Sequence, residues 1–406
     1  MGILLSLLLF VAPVNPQPSQ HSLSDDARAT LLTIMPGDAI HARWGHTALR
    51  IHDPATRTDI VFNYGTFDFS DPWFVPRFVY GDLEYYLSIF DFYRGIEHYR
   101  DVEGRPVIAQ GLDLTPDEVR RLYQLLQENL RPENRSYQYD FFFDNCSTRP
   151  RDVIELVLGD RLRYDFGEGE PRSFRELIHP YMGDQTFLRT GIDLLLGMPA
   201  DRPATHYEQT FLPMDLFNAF ERATVQRDDG YRPLVAYTDT VAWVEGYELE
   251  GYEGGRQAGF PWAAVFSAFV LLIGVLYSRR ELFGDGNTPA VFDRLLFAAA
   301  GLAGVVVLFM WTISLHGVTS PNLNLFWLWP THLVAAFFIG KEKAGGTTRR
   351  ERHLQGYLLA TALVTGIFAA LWPMWPQHLP TEALPLAGLL ALRSGVMWYW
   401  GRTGIE

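Results

Sequence analysis

From Phe260 onwards the chain contains five apolar runs, and these constrain the fold more than any other feature of the sequence. They cover residues 260–278, 295–315, 323–340, 357–375 and 383–400. A helix needs about 20 residues to cross the hydrocarbon core of a bilayer, and each run approaches that length. One such run is often a buried helix of a soluble protein, but five in succession with short polar gaps are not. They predict an all-α transmembrane domain of five helices over residues 259–406.

Arg393 lies near the middle of the fifth run. An arginine at the centre of a membrane helix costs a few kcal/mol, so it needs a polar partner or a path to water. We predict a structural role for Arg393, in which its side chain is paired or reaches the membrane interface.

Basic residues in the gaps between the runs predict the orientation of the helices. Arg279 and Arg280 follow the first run, and the gap after the third run contains a basic cluster: Lys341, Lys343, Arg349, Arg350 and Arg352. The gaps 316–322 and 376–382 contain neither Lys nor Arg. Because cytoplasmic loops are enriched in these residues, the basic gaps and the C-terminus are predicted to be cytoplasmic. Residues 20–258 are then predicted to lie on the outer side.

Residues 1–19 are predicted to be a signal peptide or an N-terminal anchor. Their apolar run, Met1–Ala12, is too short to span a membrane and precedes a Pro-rich stretch, a pattern that is typical of an export signal. Residues 20–258 carry dense charge and predict a soluble domain. The export signal and the loop charges therefore place this domain outside the cytoplasm independently.

The composition excludes two classes of protein. Apolar residues make up 48% of the chain and charged residues 20%, so most of its length is predicted to be folded. The chain has 34 Lys and Arg against 47 Asp and Glu, a net charge of −13, and so has no electrostatic reason to bind nucleic acid. The acidic residues are too scattered to predict a metal site, and we predict no cofactor.

Cys146 is the only cysteine of the chain, so no intrachain disulfide can stabilise the fold. Val153–Leu158 has the spacing of a buried helical stripe, and Gly159 is a suitable stop for that helix. Cys146 is therefore predicted to lie at or near a helix N-terminus, capped by Asp144 or Asn145. Backbone N–H groups and the helix dipole would lower the pKa of its thiol. The alternative is an inert cysteine that packs as a small apolar residue.

A predicted β-hairpin precedes the cysteine in the sequence. Its turn is centred near residues 55–56, a register that would pair His46 with Gly65. Asn63 would then lie diagonally on the same face as His46. A slip of one residue would place Tyr64 there instead.

A thiolate nucleophile needs a base close by, and the base needs a third group that orients its ring. We predict that Cys146, His46 and Asn63 supply these three roles.

Two apolar patterns predict how the exported domain is packed. Leu49 and Ile51 lie on the opposite face of the strand from His46, so both faces of the sheet are predicted to be covered. The run Phe141–Phe143 is interpreted as a buried core strand, and the alternative is a groove that contacts lipid.

The motif Trp44-Gly45-His46, followed by Asp144-Asn145-Cys146, resembles the circularly permuted papain-like fold. In that fold the histidine strand precedes the cysteine helix, as in the lecithin:retinol acyltransferase group, whereas NlpC-type cell-wall peptidases have the unpermuted order. The sequence is more similar to the bacterial Lnb family of lipoprotein N-acyltransferases, which join an exported domain of this type to five membrane helices. Three segments carry that similarity: Phe62–Phe69, Tyr139–Arg149 and His316–Asn324.

The resemblance implies an α+β exported domain with a permuted papain-like core, held in the bacterial inner membrane by a multi-pass domain and facing the periplasm. It implies an acyltransferase that moves a fatty acyl chain from a membrane phospholipid to the α-amino group of a lipoprotein's diacylglyceryl-cysteine. The acyl chain would pass through a thioester on Cys146, with His46 as the base. Backbone N–H groups around Cys146 would bind the oxyanion. The implied partners are the phospholipid, the lipoprotein N-terminus and the bilayer.

Residues beside the predicted nucleophile and in one outer membrane loop are predicted to contact substrate: Asn145, Arg149, Tyr64, His316, Asn322 and Asn324. The alternative for the three residues of the outer loop is that they only solvate a tight turn.

Two other functions stay open. One is a cysteine peptidase or amidase that acts on cell-wall peptidoglycan, although such an enzyme needs at most one membrane anchor. The other is a non-catalytic transport or scaffold protein. The presence of both His46 and Cys146 is evidence against it, and the apolar runs show no obvious ion pathway.

Overall fold

The computed structural model describes six stretches of the chain: residues 23–67, 72–82, 84–247, 259–283, 289–340 and 348–403. The predicted export signal and the predicted domain junction near residue 258 lie outside the described residues.

The chain divides into two compact units that are not contiguous in sequence. The first unit contains the residues up to 78 together with 82–172 and 204–249. The second unit contains residues 79–81 and 173–203 together with everything from residue 250 onwards.

The first unit is built on an antiparallel sheet of seven strands in the order β10-β5-β1-β2-β3-β4-β6. Its strands are β1 (Arg28–Ile34), β2 (His46–Asp53), β3 (Thr58–Thr66), β4 (Glu84–Asp91), β5 (Val107–Leu112), β6 (Ser136–Gln138) and β10 (Val235–Ala242). A smaller sheet in the same unit has the order β7-β8-β9, formed by Leu162–Arg163, Thr224–Arg227 and Gly230–Pro233.

The β2–β3 hairpin has the predicted register. Leu49 pairs with Phe62 and Asp53 with Thr58, which centres the turn on residues 55–56. The turn is stabilised by the Asp53 carboxylate, which accepts the backbone N–H groups of the turn at 3.0 and 3.4 Å. Sequence chemistry and strand pairing therefore agree at this hairpin.

Both faces of the sheet are covered, as the strand pattern predicted. One face of β2 contributes Leu49 and Ile51 to a core that also contains Phe62 and side chains of three helices. The opposite face contributes Ala48 to a second core together with Val61 and apolar side chains of β1 and β5. A sheet that is buried on both faces tolerates no slip of register, because a slip would exchange the two sets of side chains.

The helices of the first unit are α1 (Phe74–Tyr80), α2 (Phe92–Glu97), α3 (Pro116–Leu130), α4 (Thr148–Leu158), α7 (His206–Gln209) and α8 (Pro213–Arg222). The helix α4 begins two residues after Cys146 and ends at Gly159, whose φ of 57° suits a glycine stop. The predicted position of Cys146 near a helix N-terminus is therefore confirmed.

The predicted strand over Phe141–Phe143 is wrong. These residues form a turn that is closed by backbone hydrogen bonds between Asp140 and Asp144 at 3.0 Å. The carboxylate of Asp140 accepts the N–H groups of Phe142 and Phe143 at 2.9 and 3.1 Å, which stabilises the turn. A local side-chain hydrogen bond therefore outweighs the strand preference of three aromatic residues.

The second unit is helical: α5 (Phe174–Ile178), α6 (Thr186–Leu195), α9 (Trp262–Phe283), α10 (Val291–Thr312), α11 (His332–Phe338), α12 (Arg349–Ala370) and α13 (Leu384–Thr403). Among the described residues, three helices are long and apolar enough to cross a membrane, namely α9, α10 and α12.

The other two apolar runs have different structures. The run 323–340 forms a 3₁₀ turn, Leu323–Phe326, and the seven-residue helix α11, with Pro330 between them. Proline breaks a helix, so this run is divided into two short segments. The last run forms α13, a helix of 20 residues that contains Arg393. Five membrane crossings therefore remain a prediction.

Arg393 has the polar partners that its position in an apolar helix requires. It is fully buried, and its guanidinium donates to Asp293 at 2.7 and 2.8 Å and to Glu281 at 2.7 Å. A further hydrogen bond to Ser278 Oγ measures 3.0 Å. These bonds connect α13 with α9 and α10, so Arg393 has the structural environment that its sequence position predicts.

Candidate active site

The side chains of Cys146, His46 and Asn63 form one hydrogen-bonded row in the first unit. His46 Nε2 donates to Asn63 Oδ1 at 2.5 Å, and the imidazole is also hydrogen-bonded to the Cys146 side chain. Because Nε2 is used by Asn63, the other ring nitrogen, Nδ1, faces the thiol. The imidazole thus lies between a thiol and an orienting amide, the arrangement that activation of a nucleophile requires.

Three elements bring this row together. His46 is the first residue of β2 and Asn63 lies on the paired strand β3. Cys146 precedes α4, which packs on the same sheet. One β-bulge shapes the site, because β3 has an extra residue between Asn63 and Thr66 relative to β4. Bulges often re-aim side chains next to functional sites, and here the bulge contains Gly65.

The cysteine and histidine stabilise each other's charged forms. Burial disfavours the thiolate, but the charge and hydrogen bond of His46, the Thr47 N–H and Ser147 together lower the pKa of Cys146. Burial also disfavours the imidazolium, but Cys146 and the hydrogen bond to Asn63 raise the pKa of His46. The opposite directions of the two shifts favour a thiolate–imidazolium pair.

Asn63, and not Tyr64, faces His46. The Asn63 amide is oriented by its own donor, because Nδ2 donates to Thr66 Oγ1 at 2.9 Å, and this leaves Oδ1 to accept from His46. Tyr64 points into the apolar core, where its hydroxyl accepts from Asn129 at 2.8 Å. Burial raises the pKa of Tyr64 to about 12, so its hydroxyl is neutral. The register therefore decides the ambiguity that the sequence left open.

Asn145 is used within the turn that carries the cysteine. Its Oδ1 accepts the backbone N–H groups of Ser147 and Thr148 at 2.7 and 3.0 Å. Its Nδ2 donates to the carbonyl oxygens of Phe141 and Phe211 at 2.7 and 2.9 Å. This side chain caps the start of α4 and fixes the path of the chain on both sides of Cys146.

Arg149 lies one helical turn beyond the cysteine and has two partners. Its guanidinium forms a bidentate pair with Asp144 at 2.6 and 2.7 Å. It also lies over the Tyr137 ring, with Cζ 3.6 Å from the ring centroid. Burial alone would lower the pKa of Arg149, but the Asp144 pair raises it, so the positive charge is retained.

The other three predicted substrate-binding residues belong to the second unit. His316 is half-buried in the segment after α10. Asn322 and Asn324 are fully buried, and Asn322 Oδ1 accepts the Asn324 N–H at 3.0 Å. The amides therefore stabilise a turn, as in the alternative, but they do so inside the unit and not in contact with solvent. Together with Gln377 they form a group that we call the Asn322 cluster.

Every side-chain amide of the Asn322 cluster is hydrogen-bonded. Asn322 donates to the carbonyl oxygens of Leu194 and Leu195 at 2.9 and 3.1 Å, and its Oδ1 accepts from Gln377 at 3.2 Å. Asn324 donates to Leu194 at 3.2 Å and accepts the indole N–H of Trp327 at 3.1 Å. Gln377 accepts the Leu323 N–H at 2.7 Å. The cluster ties α6 to two loops of the helical unit.

Two further residues at the site were not singled out from the sequence. Thr47 and Ser147 adjoin His46 and Cys146, and their hydroxyl groups are 3.1 Å apart. Both side chains are fully buried. Their positions next to the predicted pair were the signal that could have identified them. Among the described residues, no group of three or more His, Cys, Asp or Glu side chains could hold a metal ion.

A unit of long apolar helices and a sheet-bearing unit with a cysteine–histidine pair define a membrane protein with a candidate thiol site. Two family models match the chain. The model of the Lnb N-terminal periplasmic domain matches residues 17–179, and that of the Lnb transmembrane domain matches residues 259–402. The chain belongs to the Lnb family, as its motifs predicted.

Family membership makes the chain a membrane protein with a periplasmic part and suggests a lipoprotein-processing enzyme. No curated protein and no solved structure matches the chain.

Proposed function

We propose that this protein is a lipoprotein N-acyltransferase that uses Cys146 as its nucleophile. The observation that carries the proposal is the row of Cys146, His46 and Asn63 in a chain of the Lnb family. The donor is a membrane phospholipid, and the acceptor is the α-amino group of a lipoprotein's diacylglyceryl-cysteine.

In the first half-reaction the Cys146 thiolate attacks the carbonyl carbon of a glycerol ester of the phospholipid. A tetrahedral intermediate forms and then collapses, and the bond from carbon to the glycerol oxygen breaks. The departing oxygen takes a proton from the imidazolium of His46, so lysophospholipid leaves as a neutral alcohol. The acyl chain remains as a thioester on Cys146, and His46 is neutral.

In the second half-reaction the neutral amine of the lipoprotein attacks the thioester. His46 takes a proton from the amine, and the carbon–sulfur bond breaks to restore the thiolate. The products are an amide on the lipoprotein and the original thiolate–imidazolium pair. Asn63 acts in both halves by keeping Nδ1 of the imidazole towards the sulfur.

A membrane-bound enzyme suits these substrates because both are anchored in lipid. Moving an acyl chain from the bilayer into water costs about 0.8 kcal/mol per CH₂. An enzyme seated on the membrane avoids most of that cost. This reasoning supports acyl transfer over peptidoglycan cleavage, whose substrate is not anchored in this way.

The finer architecture is part of the same proposal. A histidine strand that precedes a cysteine helix supports a circularly permuted papain-like core in residues 20–258. We further propose that residues 1–19 are an export signal, which is either cleaved or kept as an anchor. The 259–406 domain crosses the membrane five times in this proposal, and the C-terminus is cytoplasmic. Reporter fusions test this topology, and access to the 341–356 loop from outside intact cells would contradict it.

The predicted binding residues receive different roles in this proposal. Asn145 and Arg149 position the cysteine turn, because their polar groups are used by neighbouring residues. Tyr64 supports the core beneath the site. Asn322 and Asn324 fix the loops of the helical unit, and His316 is left as the substrate-contact candidate of that loop.

The decisive experiment is mass spectrometry of lipoprotein N-termini in cells depleted of their usual apolipoprotein N-acyltransferase. Expression of this protein should restore triacylated lipoproteins, and Cys146→Ala should not. Purified protein incubated with phospholipid but without amine should carry a fatty acyl group that neutral hydroxylamine releases.

Two outcomes would overturn the proposal. Triacylation by Cys146→Ala at the wild-type rate would exclude the thioester route. Cleavage of peptidoglycan by the wild type, with lipoproteins unchanged, would replace acyl transfer by the peptidase function.

A further inference from the structure

Tyr137 carries a buried hydroxyl next to the candidate site. The proposed reaction, as described above, gives this hydroxyl no role. It lies on β6, and the residue is 7% exposed. Among the described residues its hydroxyl has no hydrogen-bond partner. A buried hydroxyl without a partner costs stability, so its retention beside a candidate active site favours a catalytic role.

The hydroxyl borders a small space beside the cysteine. Gly65 has a φ of +93° and no side chain, and a Cβ atom built on it would lie 3.9 Å from Tyr137 Oη. The same Cβ would lie 3.4 Å from Cys146 Cβ and 4.0 Å from His46 Cε1. The tyrosine hydroxyl, the Cβ atom of the nucleophilic cysteine and the Cε1 atom of the base therefore surround the position that a side chain at residue 65 would occupy.

The backbone donors that commonly bind an oxyanion are partly used at this site. The N–H groups of Ser147 and Thr148 donate to Asn145 Oδ1 at 2.7 and 3.0 Å. They cannot also bind an oxygen on the acyl group of Cys146. We expected backbone N–H groups around the cysteine to form an oxyanion hole, and these two N–H groups do not. A side-chain donor could instead supply the missing hydrogen bond to the oxyanion.

The environment keeps Tyr137 neutral and orients it. Burial and the charge of Cys146 raise the pKa of Tyr137 well above its usual range, so its proton is retained at neutral pH. The Arg149 guanidinium lies 3.6 Å above the ring centroid, and its pairing with Asp144 fixes that position. The ring of Tyr64 packs edge-on at 6.4 Å.

We propose that the hydroxyl of Tyr137 donates a hydrogen bond to the oxyanion that forms when an acyl ester reacts with Cys146. The space beside Gly65 receives the carbonyl oxygen. This inference rests on the proposed function, whose substrates are an oxygen ester and a thioester.

The role of the hydroxyl is electrostatic, and no proton leaves it. As Cys146 Sγ bonds to the carbonyl carbon, the π electrons move onto oxygen, and Tyr137 O–H donates to that negative charge. When the carbon–oxygen bond to the leaving alcohol breaks, the electrons return to form the thioester carbonyl. The leaving oxygen takes its proton from His46, so Tyr137 ends each step unchanged.

The test compares acylation with alkylation of Cys146 in the full-length wild type and in Tyr137→Phe. Acylation by phosphatidylethanolamine in proteoliposomes, followed by mass spectrometry, is expected to be about 10²-fold slower in the variant. Alkylation by iodoacetamide has no tetrahedral intermediate, so its rate and pH profile should be unchanged. Thermal stability should be equal or higher, since the variant removes a hydroxyl that has no partner.

Tyr164→Phe is the matched control, because it removes a hydroxyl that is bonded to Glu155 at 2.9 Å and lies outside the site. It should acylate at the wild-type rate. Tyr137→Phe that acylates at the wild-type rate would overturn the inference, as would equal losses in acylation and alkylation, which would indicate a structural role.

A soluble ester separates this inference from the proposed function. Acylation of Cys146 by p-nitrophenyl butyrate needs the oxyanion donor but no phospholipid. If wild-type protein reacts with this ester and never with phospholipid, the proposed acyl donor is wrong. A slower reaction of Tyr137→Phe with the same ester would still support the role of the hydroxyl as an oxyanion donor. Equal rates for the two proteins with p-nitrophenyl butyrate would reject the hydroxyl whatever the natural substrate is.

Discussion

The Cys146 site and the Asn322 cluster are both groups of hydrogen-bonded polar side chains, but they differ in how completely their hydrogen bonds are satisfied. In the Asn322 cluster each amide donates and accepts within the second unit. At the Cys146 site the Tyr137 hydroxyl has no partner among the described residues. The sequence had predicted substrate contacts at both places.

This difference indicates that the Asn322 cluster has a structural role and the Cys146 site a catalytic one. Saturated amides cannot bind a ligand without losing bonds that hold the loops, and each buried group left unpaired would cost about 1–3 kcal/mol. A thiol–imidazole pair, with a hydroxyl that has no partner among the described residues, has hydrogen-bonding capacity for a substrate. The expected effects of substitution therefore differ in kind at the two places.

The largest effect is expected at the pair itself. His46→Ala removes both the base and the charge that stabilises the thiolate, and it should reduce acyl transfer about 10³-fold or more. His52→Ala, on the same strand, is the matched control and should retain activity. The Cys146→Ser, His46→Ala double variant should be little worse than either single variant. Multiplicative losses would show that the two residues do not act as one unit.

The next largest effect is a loss of stability at the Asn322 cluster. Asn322→Ala removes the side-chain donor of the Leu195 carbonyl oxygen and one of the two side-chain donors of Leu194, which should cost about 2–4 kcal/mol of unfolding free energy. Thermal unfolding in detergent measures it, with the exposed amide variant Gln124→Ala as control. Full stability with reduced activity per folded molecule would instead support direct contact with substrate.

A smaller effect is expected for the group that only orients the base. Asn63→Ala should lower kcat by roughly 10- to 100-fold, in line with other hydrogen-bond partners behind a functional histidine, and should leave KM nearly unchanged. Asn129→Ala removes the amide that binds Tyr64 and should leave kcat nearly intact. The opposite ranking of these two variants would restore Tyr64 as the orienting residue.

The finest test is the pH dependence of Cys146 alkylation. The lowered pKa of Cys146 means that its thiolate persists to lower pH than in a free cysteine. His46→Ala removes the largest stabilising contribution, so the alkylation profile should move to higher pH. A profile that does not move would mean that the imidazole is not in contact with the thiol.

The sequence predicted the hairpin and the start of α4 because each depends on local chemistry. The polar turn after His52 fixes the pairing of β2 with β3, and the Asn145 side chain caps the start of the helix that follows Cys146. The family prediction is also confirmed. These features depend on residues that are close together in the chain, so they can be recognised from a single sequence.

Other features depend on three-dimensional context and were not predictable. The bulge between Asn63 and Thr66 places Gly65 beside the site, and no residue pattern predicts it. The sequence around Tyr137 is that of an ordinary strand tyrosine, and only the structure shows that its hydroxyl has no partner within the described part of the chain. Residues 173–203 cluster with the membrane helices, although their composition resembles that of the preceding soluble segment.

Arg393 is synthesised after both of the carboxylates with which it pairs. Glu281 and Asp293 precede Arg393 by 112 and 100 residues, so the ribosome makes both carboxylates well before their cation. During synthesis Glu281 on α9 and Asp293 on α10 are therefore made before the arginine that contacts both of them. A chain that ends before residue 393 therefore lacks the guanidinium that joins these two helices, and synthesis of α13 is the step that supplies it.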